Sequence, residues 1–209
     1  MSSGKNKFLL KTNNPVILAS NSAARKQLLK GSGLKFKTKP SSVNETLLKN
    51  KMRGKPFSII SKTLALKKAL SISKKFHNCF VIGADQICVF ENRQLEKPLT
   101  KDKAVRQLMM LSGNDHKQIS GCSICFNGKS VYTFYKTAIL KMRKLTKKQI
   151  SLYVDLDKPL NSCGSYRFES KGYLLFSKVI GDNFTIQGLP LFSLFNFLIK
   201  ENIVSYEYA

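Results

Sequence analysis

The stretch from Phe80 to Phe90 (Phe-Val-Ile-Gly-Ala-Asp-Gln-Ile-Cys-Val-Phe) constrains this chain more than any other. It is apolar on both sides of Asp85 and reads as a strand pair turning near Glu91-Asn92. A carboxylate among Val, Ile and Phe is costly unless a cation or hydrogen bonds compensate it. Acids are also scarce, with 12 Asp and Glu against 36 Lys and Arg. One reading of Asp85 is a strand-end residue that caps a turn. The other is a metal-binding or water-activating carboxylate at the mouth of a sheet, and the remaining motifs favour it.

At 209 residues, 43% hydrophobic and 10% aromatic, the chain can bury the core of a single domain, taken as residues 15–209, and its charge does not imply disorder. No apolar run approaches the ~20 residues of a membrane helix, Leu189 to Ile199 being the longest candidate. Residues 1–14 hold only Phe8-Leu9-Leu10 where a secretory signal needs ~7–15 apolar residues. They read as a short flexible tail on a cytoplasmic protein. Five cysteines at irregular spacing argue for a reducing compartment and against a disulfide framework. Cys122 and Cys125 form a C-x-x-C in a strand-like run, where a spacing of three points them to opposite faces. His77 and His116 are not arranged to complete a zinc site. The formal net charge of +24 attracts polyanions in general, but its lysines are spread along the whole chain, so charge alone selects no partner.

The chain alternates strands and helices. Pro15–Ala19 reads as a buried strand, and a helix from Ala23 to Lys30 stops at Gly31-Ser32-Gly33. Leu34–Lys39 reads as a half-buried strand, 40–50 as a loop holding Glu45, and Phe57–Phe76 as a long amphipathic helix. Thr100 caps a helix through Leu111. His116–Phe126, a turn at Asn127-Gly128 and Val131 onward read as a β-hairpin, with Thr137–Arg143 continuing the sheet. Thr146 caps a helix through Val154, and Leu191–Ile199 forms a last helix after Pro190. The sum is an α/β domain with a mixed sheet.

Unusual polar residues gather in four loops at strand ends. In Ser20-Asn21-Ser22-Ala23-Ala24-Arg25, a strand runs into a helix N-terminus, whose free N–H groups and positive dipole end suit phosphate. Ser20 and Ser22 add hydroxyls, and Arg25 can grip a phosphate bidentately. Ser22 serving only as a helix cap is the simpler alternative. The other three loops hold Glu45, Asp85-Gln86 with Lys97-Pro98 a short hairpin later, and Ser162–Glu169.

On these motifs the chain, from Val16 to Leu198, resembles the Maf family of nucleotide pyrophosphatases. Leu18-Ala19-Ser20-Asn21-Ser22-Ala23-Ala24-Arg25 is similar to the family's opening L-A-S-x-S-P-x-R, and Val43-Asn44-Glu45 to its acidic loop. Lys68, Ile82–Gln86, Lys97-Pro98, Leu111-Ser112-Gly113 with His116, and Gly188-Leu189-Pro190-Leu191 follow in the family's order. Asp85-Gln86 and Gly164-Ser165-Tyr166-Arg167-Phe168-Glu169 resemble the branch that hydrolyses 7-methyl-GTP. Two positions depart from it: Ala23-Ala24 stands where the branch has Pro-Trp, and Glu96-Lys97-Pro98 where it has Gly-Lys-Pro.

The resemblance implies a mixed, twisted sheet with flanking helices, in two lobes around a long cleft, and a homodimer. It implies a nucleoside triphosphate as substrate, cleaved to monophosphate and pyrophosphate, and a divalent cation, Mg²⁺ or Mn²⁺. Such chemistry needs a bound metal, an activated water and cations on the leaving group. Asp85 is suited to catalysis, and with Glu45 to holding the metal. Ser20, Arg25, Lys68 and Lys97 suit the phosphates, while Gln86, Glu169 and the wall at Ala24 fall at the base. Two alternatives compete. A basic nucleic-acid-binding module rests only on the charge and lacks a recognisable binding pattern, so neither a specific nucleic acid nor a membrane is expected as partner. A catalytically weak Maf-like regulator of cell division sits poorly with the presence of Asp85, Lys68, Lys97 and Glu45.

Overall fold

A computed structural model of the protein describes residues 10–206. Residues 1–9 of the expected tail lie outside the described residues, whereas Leu10–Thr12 is a strand, β1. β2 (Val16–Leu18) leads into α1 (Ala23–Gly31), and β3 is only Lys37–Thr38, shorter than the strand expected over Leu34–Lys39. The expected loop around Glu45 needs correcting. Glu45 opens a helix, α2 (Glu45–Lys51), capped by Asn44 Oδ1, which accepts from the Leu47 N–H at 2.9 Å. α2 buries none of its residues, so it has no apolar stripe for a periodicity to reveal.

The long helix follows as α3 (Phe57–Ser73). The run from Phe80 to Phe90 is one continuous strand, β4, rather than a pair. Its hairpin partner β5 (Arg93–Leu95) lies beyond the turn, where Glu91 and Asn92 both take positive φ. Next come α4 (Lys101–Leu111), the hairpin of β6 (Asp115–Phe126) and β7 (Lys129–Met142), and α5 (Lys147–Asp157), which runs past Val154. β8 (Phe176–Ile180) and α6 (Asn183–Ile186) are too short to announce themselves by alternation or period. α7 (Leu191–Lys200) precedes β9 (Val204–Tyr206), which pairs antiparallel with β1.

The main sheet runs β3-β2-β4-β6-β7-β8, with β5 also against β4. β2 is parallel to β3 and β4, and the other pairs are antiparallel, so the sheet is mixed as expected.

The alternation of β4 positions the site. Its odd residues face α3, which lies almost on the backbone. A Cβ added at Gly83 would stand 2.2 Å from the Ala65 carbonyl oxygen, and one at Gly121, opposite Asp85, 2.4 Å from the Ser61 backbone. Only glycine admits the helix this closely, and the approach brings Lys68 down onto Asp85.

The even face carries two separate cores. Ile82 and Ala84 pack with Leu29, Leu194 and Leu198 from α1 and α7, whereas Cys88 and Phe90 pack with Leu108, Ile150 and Val154 from α4 and α5. Gln86 falls between them, so the two lobes share β4. Cys122 and Cys125 also enter different cores, on opposite faces as their spacing requires.

On the edge of β4 away from β6, β2 pairs with Phe80–Ile82 and β5 with Cys88–Phe90. Among the described residues, Gly83 to Ile87 have no strand beside them there, because the chain leaves β2 and turns into α1. Open α/β sheets bind ligands at such a break, outside the carboxyl ends of parallel strands.

Candidate active site

A cleft of about 2030 Å³ opens at this break, and every site residue expected from the sequence lines it. Ser20, Ala24 and Arg25 come from the β2–α1 turn, Glu45 from α2, Lys68 from α3, and Asp85 and Gln86 from β4. Lys97 follows β5, and Glu169 lies in the loop after α5.

At its centre two carboxylates share one ammonium. Lys68 Nζ donates to Asp85 Oδ1 at 2.7 Å and stands 2.9 Å from Glu45 Oε1. Asp85 is only 4% exposed, and its Oδ2 has no partner among the described residues. Burial pushes the Glu45 carboxyl up, but the Lys68 ammonium, aided by Lys49 and Arg25, outweighs it and holds the group below its ordinary value. Among the described residues, no three His, Cys, Asp or Glu side chains converge into a protein-only metal cage. Two carboxylates with a free oxygen do suit a hard divalent cation that completes its shell with water and phosphate oxygens.

The polar groups expected to face phosphate sit at the start of α1. The Ser22 N–H donates to Ser20 Oγ at 3.1 Å, and Ser22 in turn caps the helix at the Arg25 N–H. Arg25 Nε donates to the Gly188 carbonyl at 2.8 Å, fixing one end of the guanidinium while Nη1 reaches Ser20 Oγ at 3.5 Å. Across the cleft, Lys49 Nζ and Glu96 Oε1 are 3.4 Å apart, which ties α2 to the segment after β5.

The base-side expectations are narrowed. Gln86 Nε2 donates to the Ile186 carbonyl at 2.5 Å, which leaves chiefly Oε1 to face a ligand. Glu169 Oε1 accepts from Arg167 Nε at 3.4 Å, so a cation already attends this carboxylate. Ala24 leaves its wall without an aromatic, while Phe57 and Phe168 line the cleft elsewhere.

Sequence reasoning passed over three further lining residues that matter: Arg53, Arg93 and Gln118. For the arginines a signal existed. Arg is rare in this lysine-rich chain, yet Arg25, Arg53, Arg93 and Arg167 of its six all line the cleft. Arg is the side chain suited to gripping phosphate bidentately, and its concentration here does not follow from the lysine excess.

Behind Gln118 lies a buried polar cluster. His116 Nε2 stands 2.9 Å from the Tyr166 hydroxyl oxygen, which also accepts from Gln118 Nε2 at 2.8 Å. Among the described residues, His116 Nδ1 and Gln118 Oε1 have no partner, each a cost of about 1–3 kcal/mol. Burial pushes the imidazole down to about 4 from an ordinary 6.5, against a smaller upward pull from Asp115.

The unfolded chain therefore binds this proton below pH 6.5 and the folded chain only below about 4. The stability His116 lends by staying neutral is complete above pH 6.5 and is lost as pH falls toward 4. We expect thermal melts to show a loss of about 3 kcal/mol across that window and His116→Gln to flatten the slope. An equally steep slope in the variant would remove His116 as its source.

Fold and cleft together define a mixed α/β protein with an arginine-rich, two-carboxylate site at the end of a parallel strand pair. The chain belongs to the Maf family: residues 15–201 match the family described as Maf-like protein. It is 39% identical over 190 residues to a protein of Legionella pneumophila (strain Paris) named nucleoside triphosphate pyrophosphatase, covering 91% of this chain and 95% of that one. A protein of the same name from Rhodopseudomonas palustris (strain BisB18) is 35% identical over 194 residues, covering 92% and 96%. Among solved structures, a HAM1 protein from Coxiella burnetii aligns with 90% of this chain and 99% of its own at a TM-score of 0.47 and 10% identity, a likeness too loose to argue from. No described helix is long and apolar enough to cross a membrane.

Proposed function

We propose that the protein is a nucleoside triphosphate pyrophosphatase, releasing nucleoside monophosphate and pyrophosphate, and that its substrate is 7-methyl-GTP. The observation that carries the reaction is the buried Asp85 carboxylate, paired through one oxygen with Lys68 and left with a free oxygen in an arginine-rich cleft. The relatives named for this activity cover nearly the whole chain.

In this reading a water oxygen bonds to the α-phosphorus, the bridging oxygen to the β-phosphorus departs with pyrophosphate, and the water's proton passes to Asp85. Lys68, itself paired with Glu45, holds Asp85 in place. A divalent cation, Mg²⁺ or Mn²⁺, held by Asp85 and Glu45, would neutralise phosphate charge and polarise the attacked group. Ser20, the N–H groups at the start of α1, Arg25 and Lys97 receive the phosphates.

All nucleotides share these phosphates, so Arg25→Ala and Lys97→Ala are each expected to lower kcat/KM for every triphosphate alike, by roughly 10–100-fold for a lost charged hydrogen bond. A change in the ratio between bases would move that residue to the base pocket.

The proposed base rests on Glu169 and Gln86, which line the cleft where a carboxylate favours a cationic methylated purine. Ala24 removes an aromatic wall, and a stacked base is worth ~1–3 kcal/mol. We expect kcat/KM for 7-methyl-GTP to exceed those for GTP, UTP and dTTP, and Ala24→Trp to widen the margin by lowering KM. A wild-type preference for UTP or dTTP would overturn the base assignment and leave the pyrophosphatase reading intact. No pyrophosphate release from any triphosphate would overturn both. The reading includes a cytoplasmic homodimer, supported by apolar Val179 and Ile180 exposed on the edge strand β8. Sedimentation of a monomer alone would count against the dimer.

A further inference from the structure

We propose that His116 and Gln118 are positioning residues for nucleotide selection: through the Tyr166 hydroxyl they hold the loop that carries Arg167 and Glu169 into the cleft. This rests on the pyrophosphatase reading above. The starting point is a polar cluster where an apolar one would fold more readily. His116 and Gln118 are 2% and 1% exposed on β6, on the face that packs beneath α4 and α5. Tyr166 is equally buried and meets Phe176 edge-on, with ring centroids 4.8 Å apart. A network that leaves His116 Nδ1 and Gln118 Oε1 unpartnered among the described residues is less favourable than apolar side chains of the same shape. Such departures from good packing concentrate at functional sites.

The cluster fixes a loop. Ser165 Oγ donates to Gln107 Oε1 of α4 at 2.5 Å. On the other side of Tyr166, the Arg167 N–H donates to the Tyr153 hydroxyl of α5 at 2.9 Å. Ser170 Oγ donates to Asp157 Oδ1 at 2.5 Å, and the Tyr153 hydroxyl donates to Asp157 Oδ2 at 2.8 Å. Between these ties stand Arg167, Phe168 and Glu169, all in the cleft wall. Of these ties, only that between Gln118 and Tyr166 joins two side chains that both line the cleft. The hydroxyl tie is therefore the one that sets how far the loop reaches toward a bound nucleotide, while the ties to α4 and α5 hold its ends.

The test is the apolar triple variant Tyr166→Phe, His116→Leu, Gln118→Leu, beside Tyr166→Phe alone and His116→Gln, whose amide can still reach the hydroxyl. Melting temperature, kcat and KM are measured for 7-methyl-GTP and UTP. The triple variant is expected to melt at or above the wild type. Its KM for the preferred nucleotide should rise roughly tenfold and its preference shrink by a similar factor, with kcat nearly unchanged. His116→Gln should recover most of the KM. Tyr166→Phe carries the same reading of KM and preference should the triple variant fail to fold. Unchanged KM and preference would overturn the inference. So would a lowered melting temperature with equal loss of activity on both nucleotides, the mark of a merely structural role. If the wild type released no pyrophosphate, the functional reading would fall separately. Equilibrium binding of GMP and UMP to the same variants would then still decide whether the cluster governs nucleotide selection.

Discussion

Asp85→Asn is expected to lower kcat by roughly 10²–10⁴, the usual worth of a general base, while the fold persists. Asn has nearly the same shape, and its carbonyl oxygen can still accept from Lys68 Nζ, which now stands 2.7 Å from Asp85 Oδ1. The charge that would take the water's proton and hold a cation is gone, including that on Oδ2, which has no partner among the described residues. Pyrophosphate release over time, beside a thermal melt of the same sample, makes the comparison. A correctly folded variant with the wild-type rate would take Asp85 out of the mechanism.

Lys68→Met should damage stability as well as activity. The ammonium is nearly buried and is the sole cation paired with Asp85 among the described residues, and it also neutralises Glu45. Removing one partner of a buried pair leaves an uncompensated charge, typically a loss of about 3–5 kcal/mol. In a chain of this size that corresponds to a fall in Tm of roughly 6–20 °C. The diagnostic result is non-additivity. Adding Asp85→Asn to Lys68→Met removes the stranded charge and should recover part of the lost Tm, whereas independent sites would add. Simple additivity in the double variant would mean that the pair is not coupled.

Much of the site was legible because its signals are local. Asp85 stands out by hydropathy alone, the β2–α1 turn by a strand followed by Ser and a helix, and the β6–β7 hairpin by Asn127-Gly128. Glu45 was found as a scarce acid but placed in a loop, since a helix without a buried face shows no period. Asn44 followed by an acid is a capping signal, yet it carries conviction only once something beyond the helix is known to need Glu45. The short β8 and α6 left no trace in the pattern, although α6 supplies the carbonyl that engages Gln86.

Within 80–90, hydropathy determined extended structure, read as a strand pair where the chain forms one strand, and marked Asp85 as costly to bury. What compensates that cost could not be read there, because Lys68 lies 17 residues away and reaches Asp85 only where α3 crosses Gly83 and Gly121. Nor could the fate of Gln86, whose amide meets a carbonyl 100 residues further on. Side-chain type and period are properties of neighbouring residues, so a sequence carries them openly. Partnership and the gap between β2 and β5 arise from how distant segments pack, and only the tertiary structure decides them.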